Sequence, residues 1–426
     1  MLFYQKNIIF SIFLALIVTM LSGFMNLKFD FVGVSFLFNC YLVIFIICVI
    51  LKKNLSSILF FYIFSLLFFC FIPWVNYTEG IVFWSNYEFS ANDYFFTNIL
   101  IFFINILIFL FYKISPVVVK SEYKKLKANY FFTHLVICVI CAFIIFSSVN
   151  FNFEKIFFRG VLGDDDIYKY SPIELIFIQL SRFIPAFVFI KFYLDKKYFQ
   201  SFIFLLFLLF CAFPTGIPRY LVAYIYIPIL LIVTPQLKSS IKICSLMFFS
   251  MIILFPFLNE FRYYYSGKDI NFIPNISFFN QAHFDAYQNF MEVIRLNYIT
   301  FGEQILVVGF FFIPRSIWEN KPIGSGAQMA LDNDYVFTNI SMPFIAEGYV
   351  NFGYIGVFIF LYIFSFLMRQ IDFKYLNHIE LSSNSYSIAK GIFFCAAIFF
   401  ISRGDLLSSF AFMLSGVFAF KLVEKI

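Results

Sequence analysis

Four short stretches set charged residues among proline, glycine and small polar residues: PTGIPRY (214–220), FIPRSIWENKPIGSG (312–326), AEGYVNFGYIG (346–356) and SRGDLLSS (402–409). Three of them supply the cations Arg219, Arg315, Lys321 and Arg403, and the other supplies Glu347. A guanidinium is planar, permanently charged and donates through a rigid fork, which suits bidentate binding of phosphate or carboxylate. Glycine and proline beside such a cation point to close, stiff backbone rather than a floppy anchor. The chemistry these stretches suggest is anion recognition. A plainer reading stands beside it, in which Arg219 and Arg403 snorkel to lipid headgroups at helix ends.

The elements that must position these residues follow from composition. With 62% hydrophobic and 13% charged residues and a mean hydropathy of +0.90, the chain lies outside the range of soluble domains and reads as an all-α, polytopic membrane bundle. The 72 phenylalanines carry no functional inference, since aliphatic and aromatic side chains serve alike against lipid. All eight cysteines sit inside apolar runs, so they read as small buried hydrophobes and disulfides are not expected. The first run follows a single lysine and has no cleavage-like site, so a retained first helix is expected.

Apolar runs long enough to cross a hydrocarbon core of ~30 Å fall near 7–24, 31–51, 55–75, 94–114, 130–149, 172–192, 198–214, 217–234, 240–258, 344–368, 386–402 and 405–420. The expectation is therefore about twelve spans. If both termini are cytoplasmic, the inner segments hold 18 of the 30 Lys and Arg residues and the outer ones 11, in line with the positive-inside bias. Seventeen of those 18 inner cations are lysine, whereas six of the eight arginines are outside. Arginine gathered on one face again points to phosphate or another anion there.

Three regions result: an N-terminal bundle of about nine spans (1–258), a large outer loop (259–343) and three C-terminal spans (344–426), forming one membrane domain. A loop of that length is too long for a mere connection. Within it, 281–300 reads as an amphipathic helix, with Asp285, Gln288, Glu292 and Arg295 on its polar face. The apolar run 305–314 is too short to span and should rest on the membrane or plug the mouth of the bundle.

Four motifs in this order resemble the O-antigen polymerase (Wzy) family: P-x-x-x-P-R at the start of a span, I-P-R-S-x-W-x-x-K-P late in the long loop, E-G-Y-x-N-F-G-Y-x-G leading into the next span, and S-R-G-D-L-L before the last. The topology agrees along nearly the whole chain. The resemblance implies a glycosyltransferase of the bacterial inner membrane that moves a growing glycan from undecaprenyl pyrophosphate to a hydroxyl of an incoming lipid-linked repeat unit. Its active site would be periplasmic. Its partners would be undecaprenyl-pyrophosphate-linked oligosaccharides and membrane lipids, with a chain-length regulator and a flippase alongside; no cofactor and no nucleic acid is implied.

On that reading Arg219, Arg315, Lys321 and Arg403 form a pyrophosphate clamp, and Arg295 and His283 bind pyrophosphate or glycan. The proton of the acceptor hydroxyl needs a base. Glu347 is the first candidate, then Asp285 or Glu292, with His283 either a base or a polar-face residue. Asp332 and Asp334 have the D-x-D form of metal-dependent transferases, and GDDD (163–166) is more acidic still. Such patterns arise readily by chance, and no metal is expected. A lipid-linked oligosaccharide flippase and an O-antigen ligase are the alternatives. A transporter usually has short loops and spreads its cations through the bundle, whereas a ligase differs only in its acceptor.

Overall fold

The computed structural model describes residues 2–51, 55–118, 130–158, 172–260, 276–376 and 386–426. The acidic GDDD stretch (163–166) and Arg262 lie outside them. Every regular element among the described residues is helical, as apolar surroundings require: without water, a helix is the local structure that satisfies its own backbone.

Eight helical segments are long and apolar enough to cross a membrane. They are α1 (Leu2–Phe24), α2 (Phe31–Ile50), a composite of α3 (Ser57–Phe64), a π-helical stretch (Ser65–Phe71) and α4 (Ile72–Glu79), α5 (Ala91–Ile114), α6 (Phe131–Ser148), and, after the short α7 (Phe153–Phe157), α8 (Pro172–Leu194). The last two come late in the chain. Four expected runs instead hold shorter apolar helices: α9 (Tyr198–Cys211), α10 (Arg219–Val233), α11 (Ser240–Phe249) and, late in the chain, Tyr386–Ile401. A second π-helical stretch (Ser250–Leu254) and α12 (Phe255–Glu260) extend α11. The long loop contributes α13 (Ala286–Arg295), α14 (Glu303–Gly309) and α15 (Ser325–Asp332). The chain closes with α16 (Phe344–Ile371), α17 (Tyr386–Ile401) and α18 (Leu406–Lys425), of which α16 and α18 complete the eight.

Residues 57–76 of the composite segment are buried throughout and run through the core of the bundle. A polar seam locks it to α5. Ser65 Oγ donates to Asn105 Oδ1 at 2.8 Å and Tyr62 OH to Asn105 O at 2.7 Å, where its helix widens into π turns. Such interhelical bonds replace the hydrophobic driving force that lipid does not supply.

The connections gather at two ends. At one end Trp74 Nε1 donates to Lys28 O, Thr215 Oγ1 to Phe157 O, Trp84 Nε1 to Asp285 and Arg403 Nε to His283 O. At the other, Asn7 Nδ2 donates to Leu51 O, Ser57 N and Tyr112 OH to the Asp372 carboxylate, Gln370 Nε2 to Pro116 O, and Lys191 Nζ to Val423 O.

The glycines of E-G-Y-x-N-F-G-Y-x-G break α16 in two. Gly353 has φ 62° and ψ −147°, a region open essentially to glycine alone. The two halves then cross so closely that a Cβ on Gly356 would lie 1.9 Å from Gly348 O. Both contacting atoms belong to backbone, so neither yields cheaply. Gly356→Ala should therefore lower thermal stability of the detergent-extracted protein, since overpacking costs on the order of 1–3 kcal/mol. Gly309→Ala, with nothing within 4 Å of its Cβ, serves as the control. Equal melting of both variants and the parent would contradict the crossing.

Candidate functional site

A cavity of about 660 Å³ opens at the end of the bundle where Trp84 meets Asp285. Its cationic wall is Arg219 and Arg403, and its polar wall includes Gln281, His283, Asp285 and Asn339. Phe68, Tyr220, Met251, Phe399 and Phe400 form much of the apolar remainder. Phe68 and Met251 each come from a π-helical stretch, a feature frequent at functional sites.

PTGIPRY delivers Arg219. Gly216 packs so tightly that a Cβ there would lie 1.8 Å from Ile156 O, and Thr215 ties the turn to Phe157 O at 2.5 Å. Pro218 then ends the turn and Arg219 begins α10. Its Nη1 donates to Phe255 O at 3.2 Å, and its guanidinium lies 6.0 Å from the Phe255 ring centre and 5.6 Å from that of Phe278. A cation at the start of a helix opposes the helix dipole. The first turn of α10 holds no acid, and Arg219 stands on the cavity wall.

SRGDLLSS delivers Arg403 from the turn between α17 and α18. Asp405 caps α18 by accepting from Ser408 N at 2.8 Å and Ser408 Oγ at 2.8 Å. This fixes the turn that carries Arg403. Arg403 Nε donates to His283 O at 2.8 Å, and Nη2 lies 3.4 Å from Asp285 Oδ1. Arg403 keeps 32% of its side chain exposed, whereas Asp285 keeps 1%.

Asp285 is the hub. Besides Arg403 it accepts from Trp84 Nε1 (2.8 Å), Ser341 Oγ (2.6 Å), Ser341 N (3.1 Å) and Asn289 Nδ2 (3.1 Å). Of the expected polar face of 281–300, Asp285, Gln288 and Glu292 are buried and Arg295 is exposed, on a helix that runs only from Ala286 to Arg295. Gln288 accepts from Phe83 N (3.0 Å) and donates to Ile81 O (2.6 Å). Glu292 is gripped through both oxygens by Arg295 at 2.7 Å and accepts from Tyr335 OH at 2.9 Å.

The geometry thus divides the residues expected to act together. Arg219, Arg403, His283 and Asp285 converge on one cavity; Arg315, Lys321, Arg295, Glu292 and Glu347 do not line it. Arg315 is exposed. Lys321 folds back to donate to Phe311 O (2.6 Å) and Ile313 O (2.9 Å), closing the turn that Pro314 begins. Burial, and then the neighbouring Arg315, push its ammonium below the usual lysine range. Arg295 is neutralised by Glu292 and stacks over Tyr87. Glu347 is buried; its Oε1 accepts from Ser325 Oγ (2.5 Å) and Leu406 N (2.7 Å), clasping the starts of α15 and α18. Asp332 of the D-x-D pattern accepts from Tyr298 OH (2.7 Å) and Gln328 Nε2 (2.9 Å). Trp84, Phe337 and Asn339 line the cavity without having stood out in the sequence; they come from connections and carry no spacing signal.

Lys321 is expected to matter for stability and Arg315 not. Lys321→Met strips two carbonyls of their donor, at about 1–3 kcal/mol for each one left unsatisfied, and should lower the melting temperature in detergent, whereas Arg315→Lys should leave it unchanged. A Lys321→Met protein that melts like the parent would contradict the closing role. No family model matches the chain, and neither a curated protein nor a solved structure matches it, so its function is argued from the chemistry of this cavity.

Proposed function

We propose that the chain is an O-antigen polymerase: a glycosyltransferase that moves a glycan from undecaprenyl pyrophosphate to a hydroxyl of an incoming lipid-linked repeat unit, at the periplasmic face of the bacterial inner membrane. The observation that carries this reading is the convergence of Arg219 and Arg403 with His283 on a cavity that is otherwise largely apolar. The ligand suited to such a space is an anionic amphiphile, and a polyprenyl diphosphate glycan is one that brings its own leaving group.

In the proposed step the acceptor oxygen bonds to the anomeric carbon and the bond from that carbon to the phosphate oxygen breaks. The electron pair leaves on the diphosphate, where fixed guanidinium groups stabilise the growing charge. His283 takes the hydroxyl proton, as a side chain suited to proton transfer near neutral pH. Asp285, saturated with donors, orients Arg403, and Glu347 steadies the turn that carries it.

Twelve crossings, with both termini in the cytoplasm, are part of the proposal. Their support is the pattern of bridges between connections. Lys28, Phe157, Thr215, Asp285 and Arg403, all from segments assigned outside, belong to bridges at one end; Leu51, Pro116, Asp372 and the chain's last turn meet at the other. A count wrong by one crossing would pair an outer connection with an inner one. The cations of the cavity lie at a single end, which favours transfer over transport.

In a strain lacking the gene, surface glycan should collapse to a single repeat unit on lipid A core. Loss of all glycan would favour a flippase, and long polymer trapped on its lipid carrier would favour a ligase. In that strain Arg219→Lys and Arg403→Lys, at parental membrane levels, should lose most of the glycan ladder, since one preorganised donor contributes on the order of 10²–10³ in rate. Arg315→Lys should restore a normal ladder. Normal ladders from both cavity variants would remove the clamp.

A further inference from the structure

Two connecting segments that carry cavity residues are held with unusual firmness by the buried polar face of α13. The segment 81–84 is pinned by Gln288 at Ile81 O and Phe83 N and by Asp285 at Trp84 Nε1. The segment 335–341 is pinned by Glu292 at Tyr335 OH, by Asp285 at Ser341 N and Oγ, and by Asn289 at Ser341 O. Between these anchors Trp84 and Phe337 stack, with ring centres 5.3 Å apart and planes at 20°. Phe337 is nevertheless 40% exposed, and both rings line the cavity. A rigid aromatic plate left partly uncovered in a cavity is a surface shaped to receive something flat and weakly apolar.

The plate is also in register with the cations. Trp84 Nε1 and Arg403 Nη2 reach the same Asp285 carboxylate, at 2.8 and 3.4 Å. Resting on the transferase reading above, we infer that Trp84 and Phe337 form the subsite for the pyranose ring bonded directly to the diphosphate. One face of a pyranose presents C–H groups of slight positive charge, which suit the negative face of an aromatic ring. Its hydroxyls need donors and acceptors, and the amides of Gln281 and Asn339 line the same cavity. With the diphosphate at Arg219 and Arg403, the first sugar meets the plate.

The test uses the full chain in lipid nanodiscs and titrates three probes: farnesyl diphosphate, its glucopyranosyl ester and its N-acetylglucosaminyl ester. The parent should bind one or both esters about three- to tenfold more tightly than farnesyl diphosphate, the range a single stacking contact supplies. Phe337→Leu keeps the bulk but removes the π face, and should abolish that advantage while leaving farnesyl diphosphate affinity and the melting temperature unchanged. The subsite is overturned if neither ester binds more tightly than farnesyl diphosphate to the parent. It is equally overturned if the advantage survives Phe337→Leu, or if that variant weakens all three probes alike. Failure of farnesyl diphosphate itself to bind would strike the transferase reading, and the subsite with it.

Discussion

The carboxylate of Asp285 is buried to 1% exposure and surrounded by donors from four segments of the chain. An unpaired charge at such a place costs several kcal/mol, so the segments that supply Trp84, Asn289, Ser341 and Arg403 must all converge for it to be tolerated. That requirement sets the mouth of the bundle. It fixes the segment after α4, the end of the long loop and the turn before α18 relative to one another, and the cavity is what lies between them.

Around that hub the other charges are disposed of differently. Glu292 and Arg295 neutralise each other on the last turn of α13, and Lys321 is turned inward onto carbonyls. Arg403 is only partly compensated by Asp285, at 3.4 Å, and Arg219 faces the cavity from the first turn of a helix that offers it no acid. Both guanidinium groups thus stand on the cavity wall, beside apolar side chains. Charge kept at that depth calls for a ligand, and the wall of Phe68, Met251 and Phe399 suits one with a hydrocarbon part.

The helical bundle was legible because apolar runs separated by charged connections leave few other solutions. Glycine and proline beside Arg219 rightly pointed to close backbone packing, at Gly216. The motif around Gly353 announced the same thing but not that a helix would break there. Which cations would meet was not legible. Arg315 and Lys321 have the same local chemistry as Arg219, and only the folding of the long loop sends one outward and ties the other to carbonyls. Glu347 sits at a helix mouth as expected, yet its Oε1 is taken by Ser325 Oγ and Leu406 N. Trp84 and Phe337 had no contrast to stand out against, in a chain with 72 phenylalanines.

The most direct test is a cryo-EM map of the protein in nanodiscs, trapped with an undecaprenyl diphosphate oligosaccharide. The prediction is diphosphate density within hydrogen-bonding reach of both Arg219 and Arg403, with the prenyl chain leaving past Met251 or Phe399. Diphosphate held at Arg315, or at the end of the bundle where Asp372 meets Tyr112, would contradict it.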